Sequence, residues 1–240
     1  MNLALRMTTL TAIAVLFATP AAWGQETKAV HDAVKPVPRD SGWMKRHEAM
    51  NARVAQGNVD LVFIGDSITQ GWERNGKEVW DEFYGKRNAV NLGIGGDRTQ
   101  HVIWRLDNGN LEGIQPKLAV IMIGTNNSNS NKPEEIADGI EMIFEQLKTK
   151  TPETKILLLG IFPRGATPDT PQRKVNEKTN EIISKFADAM QVHYLDIGKH
   201  FLEDDGTLSK EVMPDLLHLN EKSYRIWAEA IEPKVAELME

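Results

Sequence analysis

Val59-Asp60-Leu61-Val62-Phe63-Ile64-Gly65-Asp66-Ser67-Ile68-Thr69-Gln70 is a short apolar run that stops abruptly at Gly-Asp-Ser. Its partly β-branched character predicts a buried strand, and Gly65 permits a sharp exit. Ser67 then falls at the carboxyl end of a strand, where open α/β sheets place their ligands. A serine hydroxyl is a weak nucleophile. The position gains chemical meaning only if the chain also supplies a base, a group to orient that base, and oxyanion donors.

The base comes from the far end of the chain. Met213-Pro214-Asp215-Leu216-Leu217-His218-Leu219-Asn220 sets a carboxylate three residues before an imidazole. In a helical turn, residues three apart share a face, so one short segment is expected to present both groups to Ser67. His218 would accept the Ser67 proton, and Asp215 would fix the imidazole tautomer. Donors are suggested by two further segments. Asn88-Ala89-Val90-Asn91-Leu92-Gly93-Ile94-Gly95-Gly96-Asp97 reads as a strand running into glycines whose backbone can approach a ligand closely, with the Gly96 N–H as the expected donor. Leu118-Ala119-Val120-Ile121-Met122-Ile123-Gly124-Thr125-Asn126-Asn127 reads as another strand, which brings the Asn126 amide to the same sheet edge.

Further strands are expected at 155–160 and 192–196, beside those at 59–64, 88–92 and 118–123. Helices are expected at 43–56, 77–84, 99–107, 133–149, 171–189 and 220–238. Pro133 followed by Glu134 and Glu135 is a normal helix start. Strands alternating with helices predict an α/β fold with a parallel sheet covered on both faces.

Met1 to Gly24 carries Arg6, the apolar run Leu10-Thr11-Ala12-Ile13-Ala14-Val15-Leu16-Phe17-Ala18, and Ala22-Trp23-Gly24. This is the pattern of a secretory signal peptide over 1–24, with a core too short to span a bilayer comfortably. Export to the periplasm or the extracellular space is the expectation, without stable membrane insertion. Residues 25–41, with Pro36 and Pro38, read as an extended arm or linker, and 42–240 as one domain. The 240-residue chain has formal charge −6 and no long basic cluster in its expected mature part, which argues against nucleic acid as a partner. It has no cysteine, which removes disulfides, thiol nucleophiles and thiolate metal sites.

The four segments, in this order, resemble the SGNH (GDSL) hydrolase superfamily, whose signature residues would here be Ser67, Gly96, Asn126 and His218. Gly93 to Leu106, Gly124-Thr125-Asn126-Asn127 and Phe162-Pro163-Arg164-Gly165 are similar within it to the catalytic subunits of intracellular platelet-activating-factor acetylhydrolase. The resemblance runs from about Trp43 to the end. It implies a three-layer α/β/α sandwich with a five-stranded parallel, flavodoxin-like sheet, and ester hydrolysis without metal or other cofactor. It also implies an oxyanion hole made by the Ser67 and Gly96 amides and the Asn126 side chain, and a small acyl pocket formed by Ile68, Thr125 and Leu217. Bulky groups there would favour acetyl over longer chains. A homodimer is suggested only by this resemblance.

An exported chain departs from a cytosolic animal relative, and exported bacterial members of the superfamily often resemble carbohydrate O-acetylesterases. The expected substrate is therefore a small ester or an acetylated carbohydrate. The alternatives are a lysophospholipase or thioesterase acting on longer acyl chains, and a glycan-binding protein without catalysis.

Taken singly, each residue also has a structural reading. Ser67 can cap a short helix, the Gly93–Gly96 stretch can be a plain turn, and Asn126 can belong to an ordinary polar loop. Asp215 and His218 can form a surface pair. Asp66 reads as a cap of the Ser67 turn, and Asp97 as a support for the glycine loop. Arg164 can touch substrate or be a solvated loop charge, and Trp72, Trp80 and Trp104 read as core or dimer residues. The remaining histidines, His31, His47, His101, His193 and His200, show no metal-ligand spacing.

Overall fold

A computed structural model describes residues 31–240. The expected signal peptide, 1–24, and the first part of the expected arm lie outside the described residues. The chain forms, in order, α1 (Ser41–Val54), β1 (Leu61–Gly65), α2 (Ser67–Gln70), α3 (Lys77–Phe83), β2 (Ala89–Gly93), α4 (Thr99–Asp107), β3 (Leu118–Met122), α5 (Pro133–Lys150), β4 (Lys155–Leu159), α6 (Pro171–Ile183), β5 (Val192–Leu195) and α7 (Glu221–Met239). The five strands are parallel in the order β2-β1-β3-β4-β5.

Because β-strand side chains alternate between faces, each strand supplies two cores. Val62, Ile64, Ala119, Ile121, Ile156 and Leu158 face the layer that contains α1, α4, α5 and α6. Leu61, Phe63, Leu118, Val120, Leu157 and Leu159 face the layer that contains α3 and α7. Burial on both faces explains why the strands read as continuous apolar runs. Trp72 and Trp227, almost wholly buried, anchor the second core with ring centroids 4.9 Å apart. Trp104 packs tilted against Trp43, ring centroids 5.4 Å apart, in the first. The fold is the expected three-layer α/β/α sandwich.

Between β2 and β3 the chain order reverses across β1, which opens a crevice at the carboxyl ends of these strands. Gly65 makes the turn out of β1 possible: a Cβ there would lie 2.0 Å from Thr69 Oγ1 and 2.5 Å from the Met122 carbonyl oxygen. Only the missing side chain lets α2 fold back over the strand end.

Two expectations need correction. The helix expected at 171–189 ends at Ile183 and tightens into a 3₁₀ turn, Ser184–Phe186. Beyond it, the Asp188 carboxylate accepts the amides of Met190, Gln191 and Val192, at 2.8 to 3.0 Å, and sets up the entry to β5. The second concerns the arm. Its described part, residues 31–40, is docked: Thr99 Oγ1 donates to the Ala33 carbonyl at 2.7 Å, Asn131 Nδ2 to Asp32 at 2.6 Å, and Arg39 to the Gly95 carbonyl at 2.8 Å. Among the described residues, no helix is long and apolar enough to cross a membrane.

Candidate active site

The expected site residues approach one another from different crossovers. Ser67 follows β1 as the first residue of α2, and Asp66 before it turns its carboxylate inward to accept the Ile68 amide at 3.0 Å. This cap fixes the first turn of the helix. His218 precedes α7, and its Nε2 lies 2.9 Å from Ser67 Oγ. Its Nδ1 lies 2.6 Å from Asp215 Oδ2. With Nδ1–H donated to the carboxylate, Nε2 is the acceptor for the serine hydroxyl.

Asp215 and His218 do not sit in a helix, as the three-residue spacing had suggested. Residues 214–218 form turns and bends, with Leu216 at φ 62°. Asp215 Oδ1 accepts the amides of Leu217 at 3.1 Å and His218 at 2.7 Å, so the carboxylate folds its own loop around itself. Gly165 N–H, after β4, donates to the Leu216 carbonyl at 2.8 Å and ties this loop to the sheet edge. Partial burial pushes the Asp215 carboxyl up, but the hydrogen bonds from the His218 ring and from both amides outweigh it and hold the group below the usual carboxylate range. The carboxylate is ionised wherever the imidazole works.

Gly96 sits at φ +76° in the loop after β2, and a Cβ there would lie 3.2 Å from the Arg39 guanidinium. The Ser67 and Gly96 amides make no hydrogen bond among the described residues. Asn126 Nδ2, after β3, donates to the Asp97 carbonyl at 2.9 Å, and Asp66 Oδ2 lies 3.4 Å away, long for a good hydrogen bond. The bond to Asp97 is firm, and the contact with Asp66 leaves the amide without a second strong partner.

Below the glycine loop lies a buried ionic knot that the sequence did not reveal. Asp97, with no exposure, accepts from Trp43 Nε1 at 2.7 Å, from Arg105 Nε at 2.9 Å and from Arg39 at 3.3 Å. Arg105, equally buried, also donates to Asn110 Oδ1 at 2.6 Å. In the sequence Arg105 stands only within the stretch Gly93 to Leu106, with nothing to mark it as buried. Asp97 supports the loop with its side chain and holds Asn126 with its carbonyl oxygen.

A cavity of about 310 Å³ opens beside Ser67 and His218, with Gln70, Arg74, Asn75 and Gly95 in its wall and Tyr224 beneath. Ile68, Thr125 and Leu217 do not line it. Ile68 and Thr125 are each 1% exposed, because Ile68 packs into the core shared with α7 and Thr125 turns its hydroxyl towards Asn176 and Arg164. Leu217 is half-buried against that same core. Arg164 is half-buried and donates to the Thr125 carbonyl at 3.0 Å, so it braces the loop after β3. A larger groove of about 480 Å³ along α1 and the edge strand β2 contains none of these residues. Among the described residues no three His, Cys, Asp or Glu side chains group as metal ligands.

Residues 63–226 match the GDSL-like Lipase/Acylhydrolase family. Platelet-activating factor acetylhydrolase IB subunit alpha2 of Rattus norvegicus is 37% identical over 213 residues, covering 88% of this chain and 91% of that one. Among solved structures, a carbohydrate acetylesterase from Sinorhizobium meliloti superposes with a TM-score of 0.60 at 20% identity, over 75% of this chain and 99% of that one. A catalytic mutant of an acetylxylan esterase from Geobacillus stearothermophilus does so with a TM-score of 0.60 at 19% identity, over 73% and 93%. At these identities the two structures speak for the fold.

Proposed function

Because the chain belongs to the GDSL-like lipase/acylhydrolase family and is an esterase of that type, we propose that it is an exported serine acetylesterase acting on O-acetyl groups of a carbohydrate. The observation that carries the mechanism is the unbroken line of hydrogen bonds from Asp215 through His218 to Ser67. As Ser67 Oγ attacks the ester carbonyl carbon, His218 Nε2 takes its proton and the new imidazolium is held against Asp215. The carbonyl oxygen, now an anion, is met by the Ser67 and Gly96 amides and by Asn126 Nδ2. Collapse of this intermediate breaks the bond to the alcohol, which leaves with the proton from His218. Water then gives its proton to His218 and attacks the acetyl-serine, and acetate departs as the proton returns to Ser67 Oγ.

Acetyl as the acyl group is supported by the relatives' names: the rat protein is an acetylhydrolase, and the two structures are acetyl esterases of carbohydrates. Export is supported by Arg6, the apolar run from Leu10 to Ala18 and the small residues at 22–24.

The test is hydrolysis of p-nitrophenyl acetate, butyrate, octanoate and palmitate by the purified protein and its Ser67→Ala variant. Rates should fall steeply after acetate and lie on the order of 10⁶-fold lower in the variant. A preference for octanoate would replace the acetyl reading with a lipid or thioester one. Equal rates in both proteins would overturn the serine mechanism.

A further inference from the structure

In the reaction above, the group that His218 protonates as it leaves is the alcohol. The cavity that shares Ser67 and His218 in its wall is placed to receive the alcohol half of the ester. Its volume of about 310 Å³ suits a group the size of one sugar ring or one substituted aromatic ring.

The polar groups that line this cavity have a common feature. Gln70 Oε1 is engaged by the Gly95 amide at 2.7 Å, which turns its Nε2 donor free. Asn75 Nδ2 is engaged by the Leu219 carbonyl at 3.0 Å, which leaves its Oδ1 as an acceptor. Each amide is anchored at one end and unspent at the other, an arrangement that fixes orientation before a ligand arrives.

Arg74 lines the same cavity. It is exposed, and its side chain makes no hydrogen bond or ion pair among the described residues. Every other arginine there is engaged by a carboxylate or a carbonyl. The neighbouring acid, Glu73, is taken by a two-pronged contact with Arg46 at 2.8 and 2.9 Å. Asp215, across the site, is spent on His218 and two amides. No acid near the cavity neutralises Arg74, although the chain as a whole carries net charge −6. The positive charge is a local feature of the alcohol subsite, set against an acidic background.

We infer that Arg74 is the specificity-determining residue of the alcohol subsite, and that the preferred substrates are acetate esters of alcohols bearing a carboxylate. The inference rests on the esterase reading above. A guanidinium offers two parallel N–H bonds matched to a carboxylate, and a lone fork beside the reacting serine selects for that geometry. Gln70 and Asn75 supply the donor and the acceptor for neighbouring hydroxyls.

The experiment compares 4-acetoxybenzoate with 4-acetoxybenzamide, which carry a carboxylate or a neutral amide at the same place in the leaving group. The quantity read is the ratio of their kcat/KM values in the wild type, Arg74→Gln and Arg74→Lys, because the ratio between proteins cancels the esters' intrinsic reactivities. Loss of one hydrogen-bonded charge contact at this exposed position should lower the ratio by about tenfold in Arg74→Gln, chiefly through KM. Arg74→Lys should retain part of it, and added salt should shrink the wild-type ratio. An unchanged ratio in Arg74→Gln overturns the assignment.

Calorimetric binding of 4-hydroxybenzoate and 4-hydroxybenzamide to wild type and Arg74→Gln needs no turnover. If neither ester nor p-nitrophenyl acetate is cleaved above the Ser67→Ala level, the esterase reading fails by itself. The calorimetry then still decides Arg74: tighter binding of the carboxylate that disappears in Arg74→Gln supports the inference, and equal binding refutes it.

Discussion

Asp66→Asn should make the protein more stable at alkaline pH and change the shape of its pH dependence. The Asp66 carboxyl has no solvent exposure, accepts one short hydrogen bond, from the Ile68 amide, and has no ion-pair partner. Burial pushes its pKa from the ordinary 3.8 up to about 7, and the nearby Asp97 adds to the shift. Between those values the native state keeps a proton that the unfolded chain has already lost. Stability is therefore complete below the unfolded value, falls as pH rises and levels off above the folded one. A shift of about three pH units corresponds to roughly 4 kcal/mol, a large part of the roughly 5 to 15 kcal/mol that holds a domain folded.

Asparagine can keep the oxygen that accepts from Ile68 but never ionises. Its Nδ2 would face Asn126 Nδ2 across 3.4 Å, an offset of about 1 kcal/mol that does not vary with pH. Urea unfolding of both proteins across a pH series isolates the effect, because all other titrations are common to the two. From about pH 5 to about pH 8, the difference in unfolding free energy should move by about 3 kcal/mol in favour of Asp66→Asn. Parallel curves would refute the reasoning and show that Asp66 is ionised in the fold at low cost.

Other substitutions test the remaining parts. Asp215→Asn should lower turnover by up to about 10⁴-fold with the fold intact, since the imidazole would lose its oriented tautomer while the oxyanion donors stay; steady-state kinetics with circular dichroism would check both halves. Asn126→Ala should cost roughly 10²- to 10³-fold in kcat with little change in KM, and a predominant KM effect would count against its role. Arg105→Leu leaves Asp97 buried with fewer partners and should destabilise the protein by about 3 to 5 kcal/mol in urea. Ile68→Ala empties a fully packed core site, so it should cost roughly 2 to 5 kcal/mol of stability in urea unfolding, and a loss well below that would count against this packing.

The strands were legible because each is a short apolar run ended by glycine or a polar cluster, and all five fall within two residues of their expected starts. Elements set by local chemistry, such as the Pro133 start of α5, were equally readable. The end of α6 was not. Its apolar spacing continues past Ile183 to Phe186, yet the chain tightens into a 3₁₀ turn and is already extended at Ala187, before Asp188 accepts the amides that lead into β5. At the site, the residue types beside the strand ends could be named from the sequence, but the turn that joins Asp215 to His218 depends on a left-handed Leu216 that no spacing signals. The cage around Asp97 was invisible for another reason: Arg39 and Trp43 come from the start of the domain and Arg105 from α4, and each looks ordinary where it stands. The same holds for Arg74, whose meaning lies in the partners it lacks.

The serine and its base stand 151 residues apart, and the base lies just ahead of the final helix, whose Trp227 is locked into the core with Trp72. No amino-terminal fragment of the chain can therefore carry the reaction, however well its first strands fold. During synthesis the nucleophile exists for most of the elongation time as an inert alcohol. Hydrolytic competence arrives only once the segment after the fifth strand has folded back onto the first, so activity reports that the two distant parts of the chain have met.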